Sequence, residues 1–180
     1  MIRALKQYIW QEASPRWRKI ILTWESAISL AVVILFVWFG DRWFVLHPKT
    51  SDITTGLIAY AAIALGFCVA GLTISLTFPQ AEFTSELAKP STEACSYSDL
   101  LFVFSWTAIA HWCAIMILFV AILLTDGSQS LLPVGHSGLR LWGVALIAGF
   151  GVYCLCQFLI TLITLSQVGD VYIRFLRRKG

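Results

Sequence analysis

Charged side chains are scarce in this chain of 180 residues. They make up 13% of the sequence, whereas soluble domains carry about 25%. This composition therefore argues against a soluble protein. The stretches between its long apolar runs reach only about 20 residues, which is too short to bury a core. No separate soluble domain is expected.

Sequence patterns of catalysis and metal binding are also missing. The chain contains no HExxH, GxGxxG, Walker A or G-x-S-x-G pattern. Its five cysteines form no C-x-x-C pair, which disfavours a thiol-redox or zinc site. The histidines His47, His111 and His136 fall at different predicted depths, which disfavours a clustered metal or a paired haem site. We therefore expect no enzymatic activity, no metal and no cofactor.

Long apolar runs are what the chain has in abundance. A membrane-spanning helix needs about 20 mostly apolar residues to cross a hydrocarbon layer of roughly 30 Å. Four runs meet this length: residues 20–39, 53–78, 100–125 and 139–166. The first run exceeds the apolar region of a signal peptide, and no small-x-small cleavage site follows it. The sequence predicts an all-α integral membrane protein with four transmembrane helices.

The distribution of lysine and arginine predicts the orientation of the spans. With both termini in the cytoplasm, ten of these residues lie inside and three outside, which agrees with the positive-inside rule. We expect an N-in, C-in protein of a bacterial inner membrane. Residues 1–14 carry Ile2, Leu5 and Ile9 on one face, the pattern of an interfacial amphipathic helix. A disordered basic leader is the alternative.

Two cytoplasmic segments carry opposite charge. Residues 79–99 form an acidic loop in which Glu82 and Glu86 share a helix face, where like charges repel unless a basic group neutralises them. Residues 167–180 form a basic tail, which attracts anionic lipid at about 1 kcal/mol per charge. The tail contacts are expected at Arg174, Arg177 and Arg178. The loop binds this tail, binds a soluble protein partner or remains solvated, and direct contact with nucleic acid is not expected.

The two halves of the chain resemble each other at fixed offsets. An offset of 82 aligns the span-one residues Trp24, Glu25 and Ser29 with Trp106, Thr107 and His111, and one of 83 aligns Ala62 and Gly66 with Ala145 and Gly149. This predicts two copies of one helical hairpin, related by an axis along the membrane normal. Coincidence among apolar helices is the alternative.

Small residues in the even-numbered spans predict helix packing. Ala62 and Gly66, extended by Ala70, form one small-xxx-small strip, and Ala145 and Gly149 form another. Such strips let helix backbones approach closely in lipid. We expect them at contacts within the chain or between subunits.

Polar residues within the spans predict an intramembrane cluster. Glu25 with Ser29, and Thr107 with His111, are four residues apart and therefore share a helix face. Gln157 adds an amide in span four, with Thr161 one turn further on. Glu25 is expected to pair with Arg18 or Lys19 at the inner boundary, or to turn inward toward His111, and the boundary is slightly favoured.

Two functions fit these features. The first is a non-catalytic membrane subunit that forms a homo-oligomer in the lipid bilayer. It acts as a membrane anchor or a sensor for a soluble cytoplasmic protein. The alternative is a small oligomeric ion-conducting pore, lined by Glu25, Ser29, Thr107, His111 and Gln157. By span number alone, the chain is similar to small membrane components of bacterial defence systems, Kiwa among them, and of toxin immunity. That similarity implies a place in such a system.

Overall fold

Four helices make up the part of the chain that the computed structural model describes, which is residues 23–43, 50–77, 97–124 and 139–179. The helices are α1 (Trp24–Trp43), α2 (Thr50–Leu76), α3 (Tyr97–Leu124) and α4 (Leu139–Lys179). The predicted all-helical fold is confirmed for these residues. The predicted amphipathic segment 1–14 lies outside them, as does most of the acidic loop 79–99.

Three of the four helices are long and apolar enough to cross a membrane. Their apolar stretches are Ser51–Leu76, Ser98–Leu123 and Trp142–Arg177. The apolar stretch described in α1, Trp24–Phe39, is shorter. The predicted first span begins at residue 20, before the described part of α1 starts. The membrane crossing by the first predicted span, residues 20–39, therefore stays a prediction. The duplicated hairpins and the N-in, C-in orientation also stay predictions.

Helix α4 is much longer than the span predicted from hydropathy. It has 41 residues, about 60 Å at 1.5 Å per residue, and passes through Gly169 and Asp170 without a break. The segment predicted as a basic tail, 167–180, is thus helical as far as Lys179. The cause is packing, because Val168 is buried and Phe175 lies beside it against the same hydrophobic cluster.

The chain divides into two compact units, each with its own packing. One unit comprises Met1–Pro48 and Ser130–Tyr153, and the other comprises Lys49–Gln129 and Cys154–Gly180. Helix α4 contributes its first part to the former and its second part to the latter. We call these the α1 unit and the α2–α3 unit.

In the α1 unit, the backbones of α1 and α4 lie close together. Ala145 on α4 is fully buried, and Gly149 faces α1. A Cβ atom added at Gly149 would collide with Cγ2 of Val33 and lie 3.1 Å from the carbonyl oxygen of Ser29. The missing side chain at Gly149 thus lets the backbone of α4 lie close to that of α1.

The core of the α2–α3 unit combines residues from three helices. Cys68 of α2, Leu100 and Phe104 of α3, and Val168 of α4 form its buried hydrophobic cluster. Gly71 lies directly against the Phe104 ring, because an added Cβ atom would collide with it and come within 2.8 Å of its Cζ atom. The large Phe104 side chain thus fills the space that the absent side chain of Gly71 leaves.

The face of α2 that packs inward does not include the small-residue strip predicted for contacts within the chain or between subunits. Its buried positions are Thr54, Ala61, Ala64, Cys68, Gly71 and Ser75, all of them small or medium-sized. The predicted strip of Ala62, Gly66 and Ala70 is exposed instead, and an added Cβ atom at Gly66 meets nothing within 4 Å. Because α2 carries small residues on both faces, spacing alone does not select the one that contacts α3.

Two glycines of α2 provide a matched test of this arrangement. We expect Gly71→Leu to lower the free energy of unfolding by about 1 to 3 kcal/mol or more, since the new side chain overpacks the Phe104 site. Gly66→Leu should leave it nearly unchanged because its surroundings are open. Circular dichroism during unfolding of the purified protein in detergent measures both. Equal losses for the two variants would contradict the assigned faces.

Candidate functional site

A buried hydroxyl pair joins α3 to α4 in the α2–α3 unit. Thr107 of α3 and Thr161 of α4 are both fully buried, and their Oγ1 atoms lie 2.8 Å apart. The Thr161 hydroxyl donates to the backbone carbonyl of Gln157 at 2.9 Å. A hydroxyl has one proton to donate, so the Thr107 hydroxyl must be the donor in the bond to Thr161.

His111 extends this network to α2. Its Nδ1 atom lies 2.8 Å from the backbone carbonyl of Thr107, and its Nε2 atom lies 3.3 Å from the Tyr60 hydroxyl. A carbonyl only accepts, so Nδ1 carries the proton, and the Nε2 of a neutral ring then accepts from Tyr60. Both nitrogens of the fully buried imidazole therefore have a hydrogen-bond partner within the protein.

Aromatic rings surround the end of this network that contains Tyr60 and His111. The Phe158 ring meets Tyr60 at 90° and His111 at 70°, with centroids 6.3 and 6.1 Å apart. It also meets Phe67 at 78°, with a centroid separation of 5.4 Å. These edge-to-face contacts are a favoured geometry of aromatic pairs. They place apolar surface around the Tyr60 to His111 hydrogen bond.

Ser29 and Glu25 belong to the α1 unit. Ser29 Oγ donates to the backbone carbonyl of Gly149 at 2.7 Å, which adds a hydrogen bond to the close approach of α1 and α4. Glu25 lies in the first turn of α1 and is 4% exposed. Its Oε2 atom has no hydrogen-bond partner among the described residues. Of the two polar residues predicted to share a face, one is used in packing and one carries an unpartnered oxygen.

The predicted polar cluster is thus distributed over two units. One hydrogen bond joins His111 to the backbone carbonyl of Thr107, and the buried Gln157 takes part through its own backbone carbonyl. Glu25 and Ser29 lie in the other unit.

The predicted charged contacts fall partly outside the described residues. Arg18, Lys19, Glu82 and Glu86 all lie there, as does the side chain of Arg178. Arg174 and Arg177 are exposed on α4.

Tyr60 and Phe158 were not predicted as members of the site. Tyr60 carried a usable signal, because it is the only tyrosine in the span-two run and a hydroxyl at membrane depth needs a partner. Phe158 carried none, since phenylalanine is common in every apolar run. Its role depends on three rings that meet only when the helices are packed.

The part of the chain that the structure describes contains no cluster of side chains that could hold a metal ion. No group of three or more His, Cys, Asp or Glu side chains converges in those residues. The thiols of Cys68, Cys113, Cys154 and Cys156 are free of disulfides. The Cys154 thiol contacts the carbonyl of Ala110 at 3.8 Å, a weak hydrogen bond between α4 and α3.

Comparisons with protein-family models, curated proteins and solved structures give no match for this chain. In the described helices, a hydrogen-bonded network of Tyr60, His111, Thr107 and Thr161 ties α2, α3 and α4 together.

A double-mutant cycle tests the hydroxyl pair. Thr107→Val and Thr161→Val each remove one partner of a buried bond, and we expect a coupling of about 0.6 kcal/mol and at most about 1.7 kcal/mol. Unfolding of the four proteins in detergent measures it. Thr73→Val is the matched control, because the exposed Thr73 hydroxyl bonds only within its own helix, to Val69. Coupling of Thr107 to Thr73 as large as that to Thr161 would contradict the pairing.

Proposed function

We propose that this protein is a non-catalytic multipass membrane subunit that oligomerises and acts as an anchor or sensor for a cytoplasmic protein. In this proposal the chain crosses a bacterial inner membrane four times with both termini in the cytoplasm. The single observation that carries it is the continuity of α4 from Leu139 to Lys179. A helix of about 60 Å is about twice as long as the hydrocarbon layer of roughly 30 Å is thick.

The C-terminal part of α4 presents a surface suited to a protein partner. Ile173 and Leu176 are 50% and 43% exposed, and Arg174 and Arg177 are exposed beside them. Arginine is enriched at protein interfaces, and apolar side chains form their centres. The positive charge favours a partner whose contacting surface is acidic. In the proposed orientation this surface faces the cytoplasm.

The same part of α4 is mechanically connected to the membrane helices. Val168 is buried against Cys68, Leu100 and Phe104, so one cluster holds α4 to both α2 and α3. Packed interiors have low compressibility and transmit displacement. A partner bound near Arg174 would therefore be coupled to the apolar helices, which is what an anchor or a sensor requires.

The exposed face of α2 supports self-association. Gly56, Ala59, Ala62, Gly66 and Ala70 all lie on it, and added Cβ atoms at Gly56 and Gly66 meet nothing within 4 Å. In lipid, helix association depends on van der Waals packing, which small residues permit by letting backbones approach. A second copy of the chain is the occupant we propose for this face.

The contacts favour this function over the alternative of an ion-conducting pore. Thr107 and His111 are fully buried and hydrogen-bonded within one chain, and Ser29 donates to Gly149. A water column along these residues would have to replace those bonds. A role in bacterial defence or immunity rests only on the similarity in span number and stays part of the proposal.

Self-association is tested by filling the exposed face of α2. We expect Ala62→Leu combined with Gly66→Leu to reduce the oligomeric fraction in lipid nanodiscs, because larger side chains keep the backbones apart. Light scattering and cysteine crosslinking measure that fraction. Gly151→Leu on α4 is the matched control, since its added Cβ atom also meets nothing within 4 Å. An unchanged oligomer in the α2 variant, with its fold retained, would contradict the proposed face.

Partner binding is tested by reversing the charge of the α4 surface. We expect Arg174→Glu with Arg177→Glu to abolish recovery of a soluble protein that copurifies from native membranes at native expression. Arg174→Lys with Arg177→Lys retains the charge and should retain most of the binding. Recovery of the same amount by the Glu variant would contradict the proposal. Binding only to vesicles of anionic lipid would identify the surface as a lipid contact instead.

A further inference from the structure

Trp112 differs from the other exposed tryptophans of the described helices in its position along the helix. Trp24, Trp38 and Trp142 lie at or beside an end of an apolar stretch, as expected for aromatic residues at a membrane boundary. Trp112 is 55% exposed but lies near the middle of the α3 stretch, Ser98–Leu123. The nearer end of that stretch is about 16 Å away at 1.5 Å per residue. In a hydrocarbon layer of roughly 30 Å, Trp112 therefore lies near the centre.

The indole N–H of Trp112 has no acceptor among the residues that the structure describes. Trp112 makes no hydrogen bond to any of them, whereas its neighbour His111 is hydrogen-bonded at both ring nitrogens. An indole N–H only donates, and the centre of a bilayer offers no water to accept from it. The side chain is also too short to bring the N–H to either interface. The donor calls for an acceptor at the same depth.

Trp112 is the first residue of a continuous apolar face of α3. Between residues 99 and 111, α3 has no exposed residue, whereas Trp112, Met116, Phe119 and Leu123 are all exposed. Their spacing of three or four residues places them along one side of the helix. Such a face meets either acyl chains or another protein surface. Acyl chains carry no hydrogen-bond acceptor, so the indole N–H favours a protein surface.

The exposed small-residue face of α2 lies at the depth of Trp112. Helices α2 and α3 run in opposite directions, and the hydrogen bond between Tyr60 and His111 indicates their register. In that register, Ala62 of α2 lies about level with Trp112. Copies of the chain inserted the same way round in one bilayer share this depth. Ala62 of one copy can therefore meet Trp112 of another by lateral approach alone.

Gly66 leaves a backbone acceptor open on this face of α2. In a helix, the side chain of residue i+4 lies over the carbonyl of residue i. Gly66 has no side chain, and an added Cβ atom there meets nothing within 4 Å, so the Ala62 carbonyl is accessible. Its oxygen accepts from the Gly66 N–H within the helix and has a second lone pair for another donor. An indole ring fits over such a surface because no side chain obstructs it.

We propose that the Trp112 face of α3 is a docking surface for a second copy of this chain, which places Ala62 and Gly66 of its α2 against the indole ring. The Trp112 N–H donates to the Ala62 carbonyl of that second copy. This inference rests on the proposed self-association and names the surface that the exposed face of α2 contacts. The interface then joins two different surfaces, α3 of one copy and α2 of the other, rather than two α2 helices.

Site-specific photo-crosslinking tests which surface faces position 112. The full chain with Trp112→benzoylphenylalanine is reconstituted in lipid vesicles and irradiated, and crosslinked peptides are identified by mass spectrometry. Copies grown with heavy nitrogen are mixed with unlabelled copies, so that adducts between copies are recognised by their mass. We expect adducts between position 112 of one copy and α2 residues near Ala62 of another. Trp142→benzoylphenylalanine is the matched control, because Trp142 is equally exposed but lies at the end of its stretch, and it should give no such adduct.

The variant Trp112→Phe tests the hydrogen bond, because it keeps an aromatic ring and removes the N–H. Energy transfer between labelled copies, measured as the vesicles are diluted with lipid, reports their association. We expect association to weaken about threefold and at most about twentyfold, the range of interhelical hydrogen bonds in membranes. Trp142→Phe should leave association unchanged. Equal association of the two Phe variants would overturn the proposed bond.

The outcomes distinguish this inference from the proposed self-association. If the copies associate but position 112 crosslinks only to lipid or to its own chain, the Trp112 face does not dock a second copy. The inference then fails, while self-association stands with a different counterpart for α2. If the unmodified copies show no energy transfer above that of free lipid-bound label, both fail.

Adducts between position 112 and α2 of another copy, together with weaker association of Trp112→Phe, support the inference.

Discussion

Polar groups in an apolar layer must find their partners inside the protein, and the structure of the α2–α3 unit depends on this constraint. Water is not available there to replace a lost hydrogen bond. The chain of bonds from Tyr60 through His111 and Thr107 to Thr161 meets this need with one residue of α2, two of α3 and one of α4. Because each hydroxyl proton and ring nitrogen has a defined role, the network specifies the relative register of three helices that are otherwise covered by interchangeable apolar side chains.

Shape provides the second level of specificity. Gly71 receives the Phe104 ring in the α2–α3 unit, and Gly149 receives Val33 in the α1 unit. Both contacts pair the absence of a side chain with a bulky neighbour, which brings backbones close enough for dispersion forces to act over many atoms. The Ser29 to Gly149 hydrogen bond exists only because that approach is close. Hydrogen bonding and packing are therefore not independent contributions in this protein.

The sequence predicts the helices well because apolar length is a local property. The predicted runs 53–78 and 100–125 correspond to α2 and α3 within a few residues. It also identifies Thr107 and His111 as inward-facing, since polar groups in such runs seek partners. The inward face of α2, the pairing of Tyr60 and the extension of α4 beyond residue 166 were not predicted. Each depends on residues distant in the chain, such as Phe104 and Val168, whose positions local periodicity does not contain.

The unbroken length of α4 also has a geometric consequence. The part of α4 that belongs to the α2–α3 unit, residues 154–179, is about 39 Å long at 1.5 Å per residue, so a change of about 10° in its tilt displaces one end by about 7 Å relative to the other. In the proposed membrane orientation, bilayer thinning or thickening that is accommodated by helix tilt would move Arg174 and Arg177 sideways. The size of that movement would increase with the number of residues that extend past the cluster containing Val168.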